Sequence, residues 1–112
     1  MAILKLILPI FLLFEAPSKE PQIDFCEVYG AIYVAEYPER ADYLVYEESS
    51  EAFARMIIFE ENSEIMADRK GKWYFTDNPD FARFRVYFTE RRGAADFSVY
   101  FTDFESLSGC SL

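Results

Sequence analysis

The sequence predicts a mainly β protein of six tandem strand-turn units, each about 13 residues long, forming one compact domain. Three observations carry this. An aromatic recurs at Tyr33, Tyr46, Phe59, Tyr74, Tyr87 and Tyr100, at spacings of 13, 13, 15, 13 and 13. Eight residues after each aromatic stands Ala41, Ala54, Ala67, Ala82, Ala95 and then Ser108. Each unit also divides into a β-branched and aromatic half and a polar, turn-forming half.

Taken in chain order, Met1 to Phe14 is an apolar run broken only by Lys5, and Ala16-Pro17-Ser18 follows it. The run is too short to cross a bilayer, which needs roughly 20 residues. Its length and the small residues after it suit an export signal cleaved after Ser18. An uncleaved anchor, a core strand or a short helix are the competing readings, and Pro9 is uncomfortable in a central strand. Residues 1–18 are therefore set apart as a signal peptide or N-terminal apolar segment, and 19–112 form the repeat domain.

Within the domain, strands are expected at Ile32-Tyr33-Val34, Tyr43-Leu44-Val45-Tyr46, the stretch around Phe59, Trp73-Tyr74-Phe75, Phe84 to Thr89, and Phe97 to Thr102. Period-2 alternation sends Phe84, Val86 and Phe88 to one face and Arg85, Tyr87 and Thr89 to the other, with aromatics on both. Tyr37-Pro38-Glu39-Arg40, Glu48-Ser49-Ser50-Glu51, Asn78-Pro79-Asp80 and Arg91-Arg92-Gly93 read as turns with room for one helical turn. A full βαβ crossover does not fit. The 15-residue spacing reflects a Lys70-Gly71 insertion between units three and four. The recurrent alanine implies a close backbone approach, so Ala82→Leu or Ala95→Leu is expected to destabilise by overpacking.

Composition excludes several functions. The net charge is −9 and the longest basic cluster is Arg69-Lys70-Gly71-Lys72, which disfavours nucleic acid and anionic lipid. No histidine is present, so His-based zinc sites and Ser/His or Cys/His nucleophile pairs are ruled out. No paired nucleophile and base is visible, so the expectation is a non-enzyme without a cofactor.

Three stretches share one pattern: Arg40-Ala41-Asp42-Tyr43-Leu44-Val45-Tyr46, Lys72-Trp73-Tyr74-Phe75-Thr76-Asp77, and Ala95-Asp96-Phe97-Ser98-Val99-Tyr100-Phe101-Thr102-Asp103. It resembles the septoil-knot domain family, small bacterial proteins with tandem VYVVDS-x-x-x-AD units around a Gly-Lys-Trp-Tyr-Phe centre. The resemblance runs from Cys26 to Cys110 and implies a seven-crossing torus knot. It implies no function. Glu47-Glu48 and Glu60-Glu61 depart from the pattern at apolar and Thr-like positions, as do Arg55 and Arg83 after the alanine.

Few residues are candidates for chemistry. Cys26 and Cys110 bracket the repeats. In an oxidising compartment they form a disulfide joining the chain ends; in a reducing one they are free thiols. Glu47, Glu48 and Glu51 lie one period from Glu60, Glu61 and Glu64, and a stacked geometry would bring them close. They read as calcium ligands or as a solvated acidic edge. Asp42, Asp68 and Asp96 read as turn caps. Trp73 and Tyr74 read either as core or as a sugar-stacking platform. The expectation is a small exported β-repeat protein, secreted or periplasmic and otherwise cytoplasmic. It would be monomeric, without a membrane span, and would serve as a hyperstable structural or interaction module with a protein or glycan partner. The alternative is an extracellular module binding carbohydrate or calcium.

Overall fold

The computed structural model describes residues 24–110. Seven strands appear: β1 (Gly30–Val34), β2 (Tyr43–Glu47), β3 (Met56–Glu60), β4 (Lys72–Phe75), β5 (Phe84–Phe88), β6 (Phe97–Thr102) and β7 (Gly109–Cys110). The helical segments among the described residues are single 3₁₀ turns, as the connectors require. The signal-peptide reading of 1–18 lies outside the described residues.

The strand order is β4-β1-β5-β2-β6-β3, and β3 pairs in turn with β4, so six strands close into a ring. All six pairings in the ring are parallel, and β7 adds antiparallel to β3. Every neighbour is offset by the same two-residue step: Phe75 faces Ile32, Val34 faces Val86, Phe88 faces Val45, Glu47 faces Val99, Phe101 faces Ile58 and Glu60 faces Trp73. A uniform stagger of this kind tilts the strands and lets a sheet close without a free edge. Consecutive strands are not neighbours. From β1 to β2, β2 to β3, β4 to β5 and β5 to β6 the chain skips one place in the ring, and only β3 and β4 are adjacent. The chain thus winds repeatedly around one axis, and later strands fill the gaps left by earlier ones.

Parallel pairing without a long crossover has a simple cause. A parallel connection normally needs a dozen or more residues, yet only eight separate β1 from β2. A five-residue strand is only about 17 Å long, and eight extended residues reach up to about 28 Å. One helical turn is all the slack available.

Those turns are built alike. Each of Ala41, Ala54, Ala67, Ala82, Ala95 and Ser108 ends a 3₁₀ turn and donates its N–H to the carbonyl three residues back, at 3.1–3.3 Å. The entry is capped by Thr76, Thr89 and Thr102, whose hydroxyls accept from Asn78, Arg91 and Phe104 N–H. Ser50 and Asn78 cap the next N–H groups. The recurrent alanine is therefore the residue through which chain re-enters the sheet. Ala54 and Ala67 are buried, while Ala41, Ala82 and Ala95 are half-buried. Ala67→Leu is accordingly expected to cost about 1–3 kcal/mol by overpacking, more than Ala82→Leu, in equilibrium denaturation.

The centre of the core is a layer across the ring, with Val28, Met56 and Phe97 buried beside it. Ile32, Val45, Ile58, Trp73, Val86 and Val99 contribute one side chain per strand, and each is 0% exposed. Each directly precedes an aligned aromatic. By alternation Tyr33, Tyr46, Phe59, Tyr74, Tyr87 and Tyr100 face outward, and all six are half-buried. Below the core layer, Phe25 stacks on Phe97 and Tyr43 packs against Phe84 and Phe97. The Cys26–Cys110 disulfide lies at this same end, with Cys110 paired to Met56.

The Lys70-Gly71 insertion sits where the regular winding is broken. Gly71 has φ +87°, and a Cβ there would stand 2.5 Å from the Gly109 backbone N. The insertion therefore makes room for β7 against β3. Any side chain at 71 would clash and be strained.

Candidate functional site

The two ends of the barrel differ. The end holding the strand N-termini is closed by Phe25–Glu27, the disulfide and β7. The other end, where the parallel strands finish, is open. It forms a shallow, widely open depression of about 380 Å³ lined by Val34, Glu47, Glu60, Phe75, Phe88 and Phe101. Each is the residue immediately after an aligned aromatic, so each repeat supplies one. Around the ring they run Phe75, Val34, Phe88, Glu47, Phe101, Glu60.

The mouth has an aromatic wall. Phe101 packs against Phe75 and Phe88 with centroids 6.1 and 6.2 Å apart. Trp73 lies beneath, edge-on to Phe75 and Phe101 at 6.0 Å each. Its indole N–H donates to the Val28 carbonyl at 2.7 Å, which fixes the ring inside the barrel. Glu47 and Glu60 flank Phe101 and are exposed. Neither forms an ion pair among the described residues.

The six glutamates do not form one acidic edge. One repeat corresponds to a skip in the ring, so β6 separates the units that hold Glu47 and Glu60. Glu48 is buried and receives a bidentate contact from Arg92, at 2.9 Å from Nε and 2.8 Å from Nη2. Glu61 is buried with its Oε2 3.1 Å from Lys72 Nζ. Glu51 and Glu64 begin exposed 3₁₀ turns. No group of three or more ligand-type side chains that could hold a metal occurs among the described residues. Trp73 is 0% exposed, so it offers no stacking platform for a sugar.

The aspartates act across strands and not within their own turns. Asp42 donates its N–H to the Arg85 carbonyl at 2.7 Å, and its Oδ2 accepts from the Arg85 N–H at 2.8 Å. Asp96 grips Leu44 in the same two-point way, both contacts at 2.7 Å. Each side chain thus supplies the acceptor that a neighbouring strand would otherwise provide. Asp96→Ala is expected to lower the melting midpoint by roughly 4–8 °C, the effect of one lost hydrogen bond in a domain of this size. Where Arg55 follows the alanine, its N–H is received by Ser98 O and Oγ.

Lys72 is the one buried cation among the described residues, 3% exposed, between Glu61 and Glu105. The hydrogen bond to Glu105 raises the Lys72 pKa, and the same bond lowers that of Glu105. Glu105 ionises more readily folded than unfolded, so its contribution is full above its ordinary value of 4.5 and is lost as pH falls through the lowered folded value. Lys72 contributes fully below 10.5 and loses that contribution as pH rises through its raised value. Melting midpoints across pH should therefore hold a plateau between these limits, and Lys72→Met should remove this pair's share of the fall at both ends.

The family model described as the 7(1) septoil knot domain matches residues 25–111. The chain belongs to the septoil knot domain family. The match spans all seven strands and both cysteines, so it covers the wound ring and its closure. No curated protein and no solved structure matches the chain. No helix among the described residues is long and apolar enough to cross a membrane. Gly71-Lys72-Trp73-Tyr74-Phe75, the stretch that carried the resemblance, leads into β4, which pairs with β3 to close the ring.

Proposed function

We propose that this septoil knot protein is a small exported, non-enzymatic module that holds its shape under harsh conditions and presents an interaction surface. The Cys26–Cys110 disulfide carries the reading. A bridge of this kind persists in oxidising compartments and is rare in reducing ones. It joins Cys26, ahead of β1, to Cys110 in β7, and so ties the start of the seven-strand ring to its end. The surface supports an interaction role. Phe53, Ile65, Phe81 and Phe104 are 65–85% exposed, each at or beside a 3₁₀ turn. An interaction role requires that these side chains act together as one patch, since exposed apolar residues scattered singly are ordinary. The two buried carboxylates, Glu48 and Glu61, are both ion-paired, to Arg92 and Lys72, which supports a role without catalysis.

Cell fractionation followed by non-reducing intact mass tests this reading. The protein is expected outside the cytoplasm and two hydrogens lighter than the dithiol form. Recovery from the cytosol with both thiols free would overturn it. A monomer is expected by sedimentation. An unfoldase-driven protease acting on a terminal tag is expected to stall at the wound ring, and rapid processive digestion would count against the structural role.

A further inference from the structure

We propose that the open mouth of the barrel binds a small quaternary ammonium solute of the choline type. The argument goes beyond the module reading and does not depend on it. Three phenylalanines and a valine line the depression, and Trp73 lies beneath them. Aromatic faces attract a desolvated organic cation through the ring quadrupole. They give no such gain with a neutral guest. The depression is shallow and open at about 380 Å³, so it can seat only a small guest.

The charge complement selects among small guests. Glu47 and Glu60 stand two strands apart, roughly 10 Å by the usual strand spacing, with Phe101 between them. Each is exposed and without a cationic partner among the described residues. In contrast, Glu48 and Glu61, the very next residues, are both ion-paired, with Arg92 and Lys72. The two mouth carboxylates sit at positions where the other four repeats have Val or Phe. They therefore interrupt an apolar ring without serving a structural pair. A guest seated against Phe101 would meet a carboxylate on either side. A hydrated metal cation would have to shed water to reach the rings, whereas a quaternary ammonium carries its charge on a weakly hydrated apolar surface. An anionic group on the guest would be repelled by the rim and by the net charge of −9.

The molecule supplies its own reporter, since Trp73 is its only tryptophan and touches Phe75 and Phe101. Choline is titrated into the full chain and Trp73 emission is followed, with calorimetry as a second readout. A saturable change is expected with choline. The uncharged isostere 3,3-dimethylbutan-1-ol is expected to bind at least tenfold more weakly, and glycine betaine, with its carboxylate, more weakly than choline. The double variant Glu47→Gln/Glu60→Gln alters only exposed side chains and should fold normally by circular dichroism. It should weaken choline at least tenfold while leaving the neutral isostere unchanged. Equal binding of choline and its isostere would overturn the proposal, as would no saturable response in either readout. Binding of a trimethyllysine peptide without binding of choline would also overturn it, by assigning the mouth to a protein partner.

Discussion

Replacing Cys26 and Cys110 with serine is expected to lower the unfolding free energy by about 4–5 kcal/mol, the entropy released when a loop of this size is opened. The bridge spans 84 residues, most of the described chain. Much of the effect acts on the unfolded state, whose ends are held together as long as the bridge is intact. A local term adds to it. Cys110 belongs to β7, which covers the edge of β3 at Met56 and Ile57 and packs its Gly109 backbone against Gly71. With the bridge gone, β7 has only two residues with which to hold that edge. Equilibrium denaturation of the double serine variant should therefore show both a lower midpoint and early loss of protection at the Met56 and Ile57 amides by hydrogen exchange. A midpoint unchanged within error would mean that the winding alone constrains the chain.

Trp73→Ala is expected to cost about 3–5 kcal/mol, the range for emptying a fully buried large side chain. Trp73 fills the centre of the ring, touches the two rings Phe75 and Phe101, and is 0% exposed. The other five positions of its layer hold the shorter Ile or Val, which cannot fill the space of an indole. Truncation also leaves the Val28 carbonyl without its donor in a buried setting, which adds to the loss. Trp73→Phe should cost less, since it keeps most of the volume and forfeits only the indole N–H. Unfolding of both variants is best followed by far-ultraviolet circular dichroism, because the substitution removes the fluorophore. If Trp73→Ala melted within a degree or two of the parent, the account of Trp73 as the centre of the core would be wrong.

The repeat was readable in the sequence because the same contacts recur at every unit. One position must re-enter the sheet at the end of a 3₁₀ turn, which is why alanine returns there. One must pack under the connectors, which is why an aromatic returns. Lys70-Gly71 was visible as an irregularity, and its cause, the passage of β7 over Gly71, was not. The core itself was one residue away from the aligned aromatics: Ile32, Val45, Ile58, Trp73, Val86 and Val99 sat in plain register. Alternation alone could not rank the two faces, since both carry aromatics. Strand order was hidden for a different reason. Neighbours in the ring come from distant repeats, so nothing local to Asp42 reveals that its partner is Arg85. The same blindness put the glutamates of units two and three side by side, when β6 lies between them. The mouth followed a constant register too, Val34, Glu47, Glu60, Phe75, Phe88 and Phe101. Only closure of the ring turns that register into a depression.

The skipping order has a consequence for how the protein is made. In an ordinary repeat array each new unit docks on the one before it, so structure can grow as the ribosome delivers the chain. Here β1 finds partners only in β4 and β5, and Ile32 must wait for Phe75 and Phe84 to be synthesised. β2 likewise depends on β5 and β6. Nascent β1 and β2 leave the tunnel with bare edges and no mate. Native assembly is thus deferred until nearly the whole domain has emerged, and refolding should be slow for so short a chain. Adding or deleting one unit would disturb every seam at once, which ties this architecture to a fixed number of repeats.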